Sequence, residues 1–371
     1  MTTKGQHHKH PPIARPTRGM YHRSEWGIYG TTCTEVEHFV QGIQQRLGDL
    51  LITYVDADHS EGQLHTAYQV GKKKYSLPSA LHWNEYDDRL QLWQSDAVLV
   101  NGNHYPAQKQ IVILNAEKKA SLERRLAQLT DVDMVILTDS CDQAYDFLTE
   151  NISTAKIYHA SEMDQIAEHI RDSIASSMPK VKAIVLAGGR SRRMGEDKAT
   201  IAYHNGVPQQ EYTAMLCHKM GLQTYISKDH EYSTDKIGTI PVIKDRFVDL
   251  GPCGAIMTAF MHDPDAAWLV LACDLPLIDA DSIANLLQQR DASCTATAYQ
   301  LSDQKWPEPL MAVYEPRAYQ RMLRFLSMGY ACPRKVLINS PTKTISLADE
   351  SVAYNANTVE ERQQAQKMIN K

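Results

Sequence analysis

Short apolar runs punctuate the chain, and amphipathic stretches separate them. In the first half the runs are "LLITYVDADH", "DAVLVNGNH", "KQIVILNA" and "MVILTDS"; in the second they are "KAIVLAGG", "TYIS", "IPVIKD" and "AWLVLACDLP". Runs of this length alternating with helical segments predict parallel sheets covered on both faces. The stretch "SEMDQIAEHIRDSIASSMPKVKAIVLAGG" divides the series. It reads as a helix ending in Ser-Ser-Met-Pro and then a new strand, because Pro179 breaks the helix. A boundary is expected near residue 178, giving domains 1–178 and 179–371. No short repeat of the solenoid kind is visible. The pattern predicts two α/β domains in tandem.

Composition adds exclusions. At 371 residues the chain is too long for one typical core. With 22% charged residues and a net charge of −5, nothing favours nucleic acid or an anionic membrane as partner. No apolar stretch approaches the roughly 20 residues of a membrane span. The N-terminal "MTTKGQHHKHPPIARPTRG" lacks the apolar core of a secretory signal. Seven cysteines, from Cys33 to Cys332, stand singly with no CxxC pair, which suits reduced thiols. A cytoplasmic location is the expectation. His7, His8 and His10 read as a solvated tail rather than a metal site, since no second ligand cluster accompanies them.

The densest chemistry lies at residues 181–199, "VKAIVLAGGRSRRMGEDKA". A strand over Val181–Ala187 puts Gly188 and Gly189 at its carboxyl end, where open α/β sheets bind ligands. Glycine there lets backbone amides approach a ligand closely. Arg190, Arg192, Arg193 and Lys198 supply more positive charge than a turn needs, and a triphosphate would use it. The alternative is a solvated basic loop. The stretch has neither the Gly-Lys-Ser/Thr of a Walker loop nor the glycine spacing of a dinucleotide fingerprint.

"LAGGRSRRMGEDKA" resembles the signature of the molybdenum cofactor guanylyltransferases, the MobA family of nucleotidyltransferases. Four further segments resemble that family in order: "IPVIKDRFVDLGPCGAI", "LVLACDLPLI", "EPLMAVY" and "NANT" at 355–358. The resemblance covers about half the chain, residues 181–371. It implies a Rossmann-like nucleotidyltransferase fold for the second domain. It also implies a nucleotide held by Leu186, Ala187, Gly188, Gly189, Lys198 and Asp245, with Gly251 and Gly254 either in a loop beside it or in a tight turn without ligand. Asp274, at a strand end, would hold Mg²⁺. Asp229 stands where the family places an Asn near the base; an aspartate can still accept from guanine N1–H and the 2-amino group. Glu308, Asn355 and Asn357 would face the pterin acceptor, although both asparagines also suit ordinary turns. The implied reaction is attack by a molybdopterin phosphate on the α-phosphorus of GTP, with pyrophosphate leaving. Arg193 and Lys198 would stabilise the developing charge. Molybdoenzymes or cofactor-assembly proteins are the implied protein partners. A cytidylyltransferase, a transferase for another phosphorylated acceptor, and a non-catalytic assembly protein are the alternatives.

The first half resembles a second family. "WGIYGTTCTEVEHFVQGIQQRL", with the later "DAVLVNGNHYPAQKQIVIL", is similar to the P-loop MobB proteins, which implies a P-loop-like α/β domain. Gly27, Gly30 and Thr34 fit that loop, but Cys33 replaces its lysine and Asn101 its later glutamate. The expectation is a degenerate domain that hydrolyses no nucleotide. Asp56, Asp58 and His59 read as a small metal or phosphate site, or as solvated strand-end residues.

Overall fold

The computed structural model describes residues 13–58, 65–70, 73–76, 85–188 and 198–370. Two compact units are present: Thr17–Met178, and Pro179–Lys371 with which Met1–Pro16 is grouped.

The first unit runs β1 (Ser24–Tyr29), α1 (Cys33–Arg46), β2 (Ile52–Asp58), β3 (His65–Val70), β4 (Lys73–Ser76), α2 (Glu85–Gln91) and β5 (Ala97–Asn101). It continues through β6 (Lys109–Ile113), α3 (Lys119–Glu123), β7 (Val132–Leu137), β8 (Lys156–His159) and α4 (Met163–Ser176). Among the described residues the strand order is β4-β3-β2-β5-β1-β6-β7-β8. The period-two alternation of strands splits the core. Trp26, Ile28, Ile111 and Ile113 pack under α1 and α4, whereas Tyr29, Val112 and Val135 pack on the opposite face with Leu122 of α3.

The second unit begins β9 (Val181–Leu186), β10 (Ala202–His204), β11 (Val207–Pro208), α5 (Gln209–Lys219), β12 (Gln223–Lys228), β13 (Lys236–Ile237) and β14 (Ile240–Lys244). Then come α6 (Gly251–His262), β15 (Ala267–Ala272), α7 (Ala280–Gln288), β16 (Ala296–Tyr299), β17 (Met311–Tyr314), α8 (Arg317–Ser327), α9 (Pro333–Ile338), β18 (Thr342–Ile345) and α10 (Val359–Ile369). The main sheet is ordered β13-β14-β12-β9-β15-β17-β16-β18, with β10 and β11 as a separate ribbon. Again neighbours in sequence face opposite ways. Ile184, Trp268, Val270 and Ala312 pack with α6, α8 and α9, while Ala183, Leu269, Leu271 and Val313 pack with α5 and α7. Helices therefore cover both faces.

The sheets are mixed rather than purely parallel. β17 runs antiparallel to both β15 and β16. Residues 300–310, which join β16 to β17, contain no helix, and a link without a crossover returns its strand antiparallel. β2 and β3 pair antiparallel as well.

Candidate active site

In the second unit β14, β12, β9 and β15 are all parallel, so their carboxyl ends share one edge. From β9 the chain builds outward through β12 and β14 and then returns to the other side of β9 with β15. The β9–β15 gap is therefore the topological switch point, where such sheets leave a crevice. Leu186 ends β9 and Asp274 lies two residues beyond β15. The ladder persists just past the strands, with Cys273 N–H donating to Leu186 O at 3.2 Å and Ala187 N–H to Ser227 O at 3.1 Å. Gly188 follows, exposed, and a Cβ there would sit 3.3 Å from Asp229 N and Lys228 C. Lack of a side chain lets the loop start flush against the end of β12.

Three acid-bearing segments converge on this edge. Asp245, just after β14, donates its N–H to Lys228 O at 2.9 Å. Its carboxylate accepts from Ser227 Oγ at 2.7 Å. Burial pushes the Asp245 pKa up to about 6; the Ser227 hydroxyl opposes the shift, the Asp229 charge adds to it and His230 opposes it. Asp229 accepts from Glu231 N–H at 3.0 Å, and His230 Nδ1 lies 3.0 Å from the same oxygen. Asp229 thus shapes a turn as well as facing Asp245.

Asp274 accepts through its main-chain carbonyl from Ala356 N–H at 3.0 Å, which draws the 355–357 segment to the end of β15. Asn355 is exposed. Asn357 N–H donates to Glu361 at 2.7 Å, beside the Thr358–Glu361 capping box that starts α10. Glu308 lies close to the same strand end, since Ala272 N–H donates to Leu310 O at 3.1 Å. Its carboxylate is engaged by Arg334 at 3.0 Å.

Other expected site residues are placed differently. Gly251 opens α6 with φ +54 and open space at its Cβ position. Gly254 is buried, and a Cβ there would lie 2.3 Å from Phe247 O, so helix packing accounts for this glycine. Gly189, Arg190, Arg192 and Arg193 lie outside the described residues, as does the side chain of Lys198, whose backbone opens a 3-10 turn. His7, His8, His10 and His59 also lie outside them. Ser227, Lys228 and His230 were not singled out from the sequence, although "YISKD" carries all but the last at a strand end.

In the first unit a strand–turn–helix does span Gly27–Thr34, but its geometry does not carry the P-loop expectation. Gly27 remains inside β1, paired with Val100 and Gln110. Only residues 30–32 separate strand from helix. Cβ atoms at Gly27 and Gly102 would meet the Tyr29 ring at 2.8 and 2.5 Å, so these glycines accommodate an aromatic ring. Gly30, at φ +86, presses on Ile113 O. The helix start, where a phosphate would sit, already has an anion: Glu35 accepts from Thr31, Thr32 and Asn115. Cys33 Sγ lies 3.6 Å from His104 Nε2, itself 3.8 Å from Asp56.

Among the described residues no group of three or more His, Cys, Asp or Glu side chains is arranged to hold a metal ion. A single hard carboxylate at the switch point, Asp274, still suits Mg²⁺ delivered with a triphosphate, because Mg²⁺ commonly uses one or two carboxylates plus substrate oxygens. No described helix is long and apolar enough to cross a membrane.

A switch-point crevice with Gly188 at one strand end and carboxylates at its neighbours is the place where an open α/β sheet binds a ligand. The model of the MobA-like NTP transferase domain matches residues 183–344. The molybdenum cofactor guanylyltransferase of Xanthomonas euvesicatoria pv. vesicatoria is 30% identical over 187 residues, 48% of this chain and 90% of that protein. The molybdenum cofactor biosynthesis bifunctional protein of Synechocystis sp. is 35% identical over 162 residues, 43% of this chain. The chain spans 46% of that relative's length. A solved structure, molybdopterin-guanine dinucleotide biosynthesis protein A from Archaeoglobus fulgidus, is 22% identical, with a TM-score of 0.43 over 51% of this chain and 98% of that one. The chain belongs to the MobA-like NTP transferase family, and it is a nucleotidyltransferase of the MobA type.

Proposed function

We propose that the second unit transfers GMP from GTP to the phosphate of a molybdopterin-type acceptor, releasing pyrophosphate. The observation that supports this most is the convergence of Gly188, Asp245 and Asp274 on one sheet edge around the β9–β15 switch point. A relative named molybdenum cofactor guanylyltransferase, matched over most of its length, supports the choice of GTP and pterin.

The chemistry asked of the protein is positioning and charge control. An oxygen of the acceptor phosphate forms a bond to the α-phosphorus of GTP. The bond from that phosphorus to the β-bridging oxygen breaks, and pyrophosphate carries the electron pair away. Asp245 and Asp229 accept from the donor edge of guanine. The Gly188 and Gly189 amides hold phosphate or ribose oxygens, and Arg193 and Lys198 meet the charge on the leaving side. Asp274 would hold Mg²⁺, which offsets triphosphate charge when bound. Glu308, Asn355 and Asn357 would line the acceptor side, with Glu308 held by Arg334. The first unit would serve for docking of cofactor-assembly proteins or molybdoenzymes.

The test is pyrophosphate release by purified protein with Mg²⁺ and each of GTP, CTP, ATP and UTP, with and without molybdopterin. Acceptor-dependent release from GTP supports the reading; release only from CTP transfers it to a cytidylyltransferase, and release from none removes it.

A further inference from the structure

We infer that Lys228 is a positioning residue of the nucleotide site, setting the direction of the Gly188 amide; this rests on the function proposed above. Lys228 is the last residue of β12 and only 4% exposed. A buried ammonium is costly to place, and this one lies at the root of the glycine loop. Its Nζ donates to Ala187 O at 3.1 Å and stands 5.4 Å from the centroid of the Tyr232 ring. Ala187 N–H meanwhile donates to Ser227 O at 3.1 Å. Both main-chain polar groups of Ala187 therefore face β12.

The consequence follows from peptide geometry. The described peptide bonds are trans, and in a planar trans peptide the N–H is antiparallel to the C=O. With Ala187 O held by Lys228 on the β12 side, the Gly188 N–H of the same peptide points to the β15 side. That is the side where Cys273 N–H meets Leu186 O and where Asp274 follows. The Gly188 donor thus faces the switch-point crevice, one step past the final rung of the β9–β15 ladder. A cation on the carbonyl also polarises the peptide and strengthens its N–H as a donor to an anionic oxygen. Lys228 acts on the nucleotide through this peptide, not by touching it.

Lys228→Met removes the ammonium and keeps most of the stem. Full-length K228M is expected to raise KM for GTP about tenfold, the value of one oriented hydrogen bond, while KM for the acceptor and kcat stay near wild type. K228R, which keeps a cationic donor, restores most of the KM. A K228M enzyme with wild-type KM for GTP, or one that loses kcat and both KM values together, overturns the inference. Should K228M not fold, K228Q takes its place and is read at the Gly188 amide resonance: a downfield shift on adding a non-hydrolysable GTP analogue in wild type that shrinks in K228Q supports the inference, and no shift in wild type, or an equal shift in both, overturns it. Wild-type protein that releases no pyrophosphate from any nucleotide defeats the proposed reaction, and the Gly188 resonance then reads the amide's role separately.

Discussion

Asp245 offers the sharpest physical handle on the site, because its titration lies within reach of a stable folded protein. Burial raises its pKa from 3.8 to about 6. The folded pKa lies above the unfolded one, so the folded chain binds a proton between those values that the unfolded chain does not. Ionising Asp245 therefore destabilises the fold: the penalty is absent below pH 4, grows as pH rises towards 6 and is complete above it. Two units correspond to about 3 kcal/mol at most; partial exposure brings the expected figure to about 1–2 kcal/mol. Nucleotide binding runs the other way. Guanine presents donors, so it selects the carboxylate, and at one unit below the pKa only about a tenth of the protein is in that form. Affinity for GTP should therefore fall about tenfold from pH 7 to pH 5. Asp245→Asn, which cannot titrate, should bind weakly and flatten the profile. Isothermal titration across pH 5–8 with both proteins reads this directly. A wild-type profile that is flat, or as steep in the variant, refutes the assignment of Asp245 to the base.

Three further outcomes are expected. Asp274→Asn should nearly abolish pyrophosphate release without lowering the melting temperature, since it neutralises a half-buried carboxylate whose Oδ1 is out of water; near-normal turnover contradicts its role. Glu315 is 1% exposed and receives Arg290 at 2.6 and 2.8 Å, so Arg290→Met, which strands that charge, should cost about 3–5 kcal/mol in urea unfolding; a loss below 1 kcal/mol would show the pair to be dispensable. The first unit should hydrolyse no nucleotide, because Glu35 already fills its helix start; Mg²⁺-dependent γ-phosphate release from GTP or ATP by full-length D274N would show that the loop still works.

Legibility in the sequence followed the strength of local pattern. Asp245 and Asp274 were readable because each ends an apolar run, and in a parallel sheet those ends share an edge. Pro179 marked the end of a helix because its ring forbids continuation. The antiparallel return of β17 was not readable: "EPLMAVY" has the same apolar character whichever way it runs. The reasons for particular glycines were hidden as well. Gly27 looked like a ligand-approach residue and instead makes room for Tyr29, while Gly254 packs on Phe247. Both needs arise from neighbours that only tertiary packing brings close. Nothing in the sequence singles out Lys228, because its burial beside Ala187 depends on the β9–β12 register.

The central claim is that this crevice joins GMP to a pterin phosphate, and product analysis tests it most directly. Purified protein, Mg²⁺, GTP labelled at the α-phosphorus and molybdopterin should yield the label in a pterin dinucleotide, with one pyrophosphate formed per label transferred. Label that stays in GTP, or that enters product only when CTP replaces GTP, contradicts it.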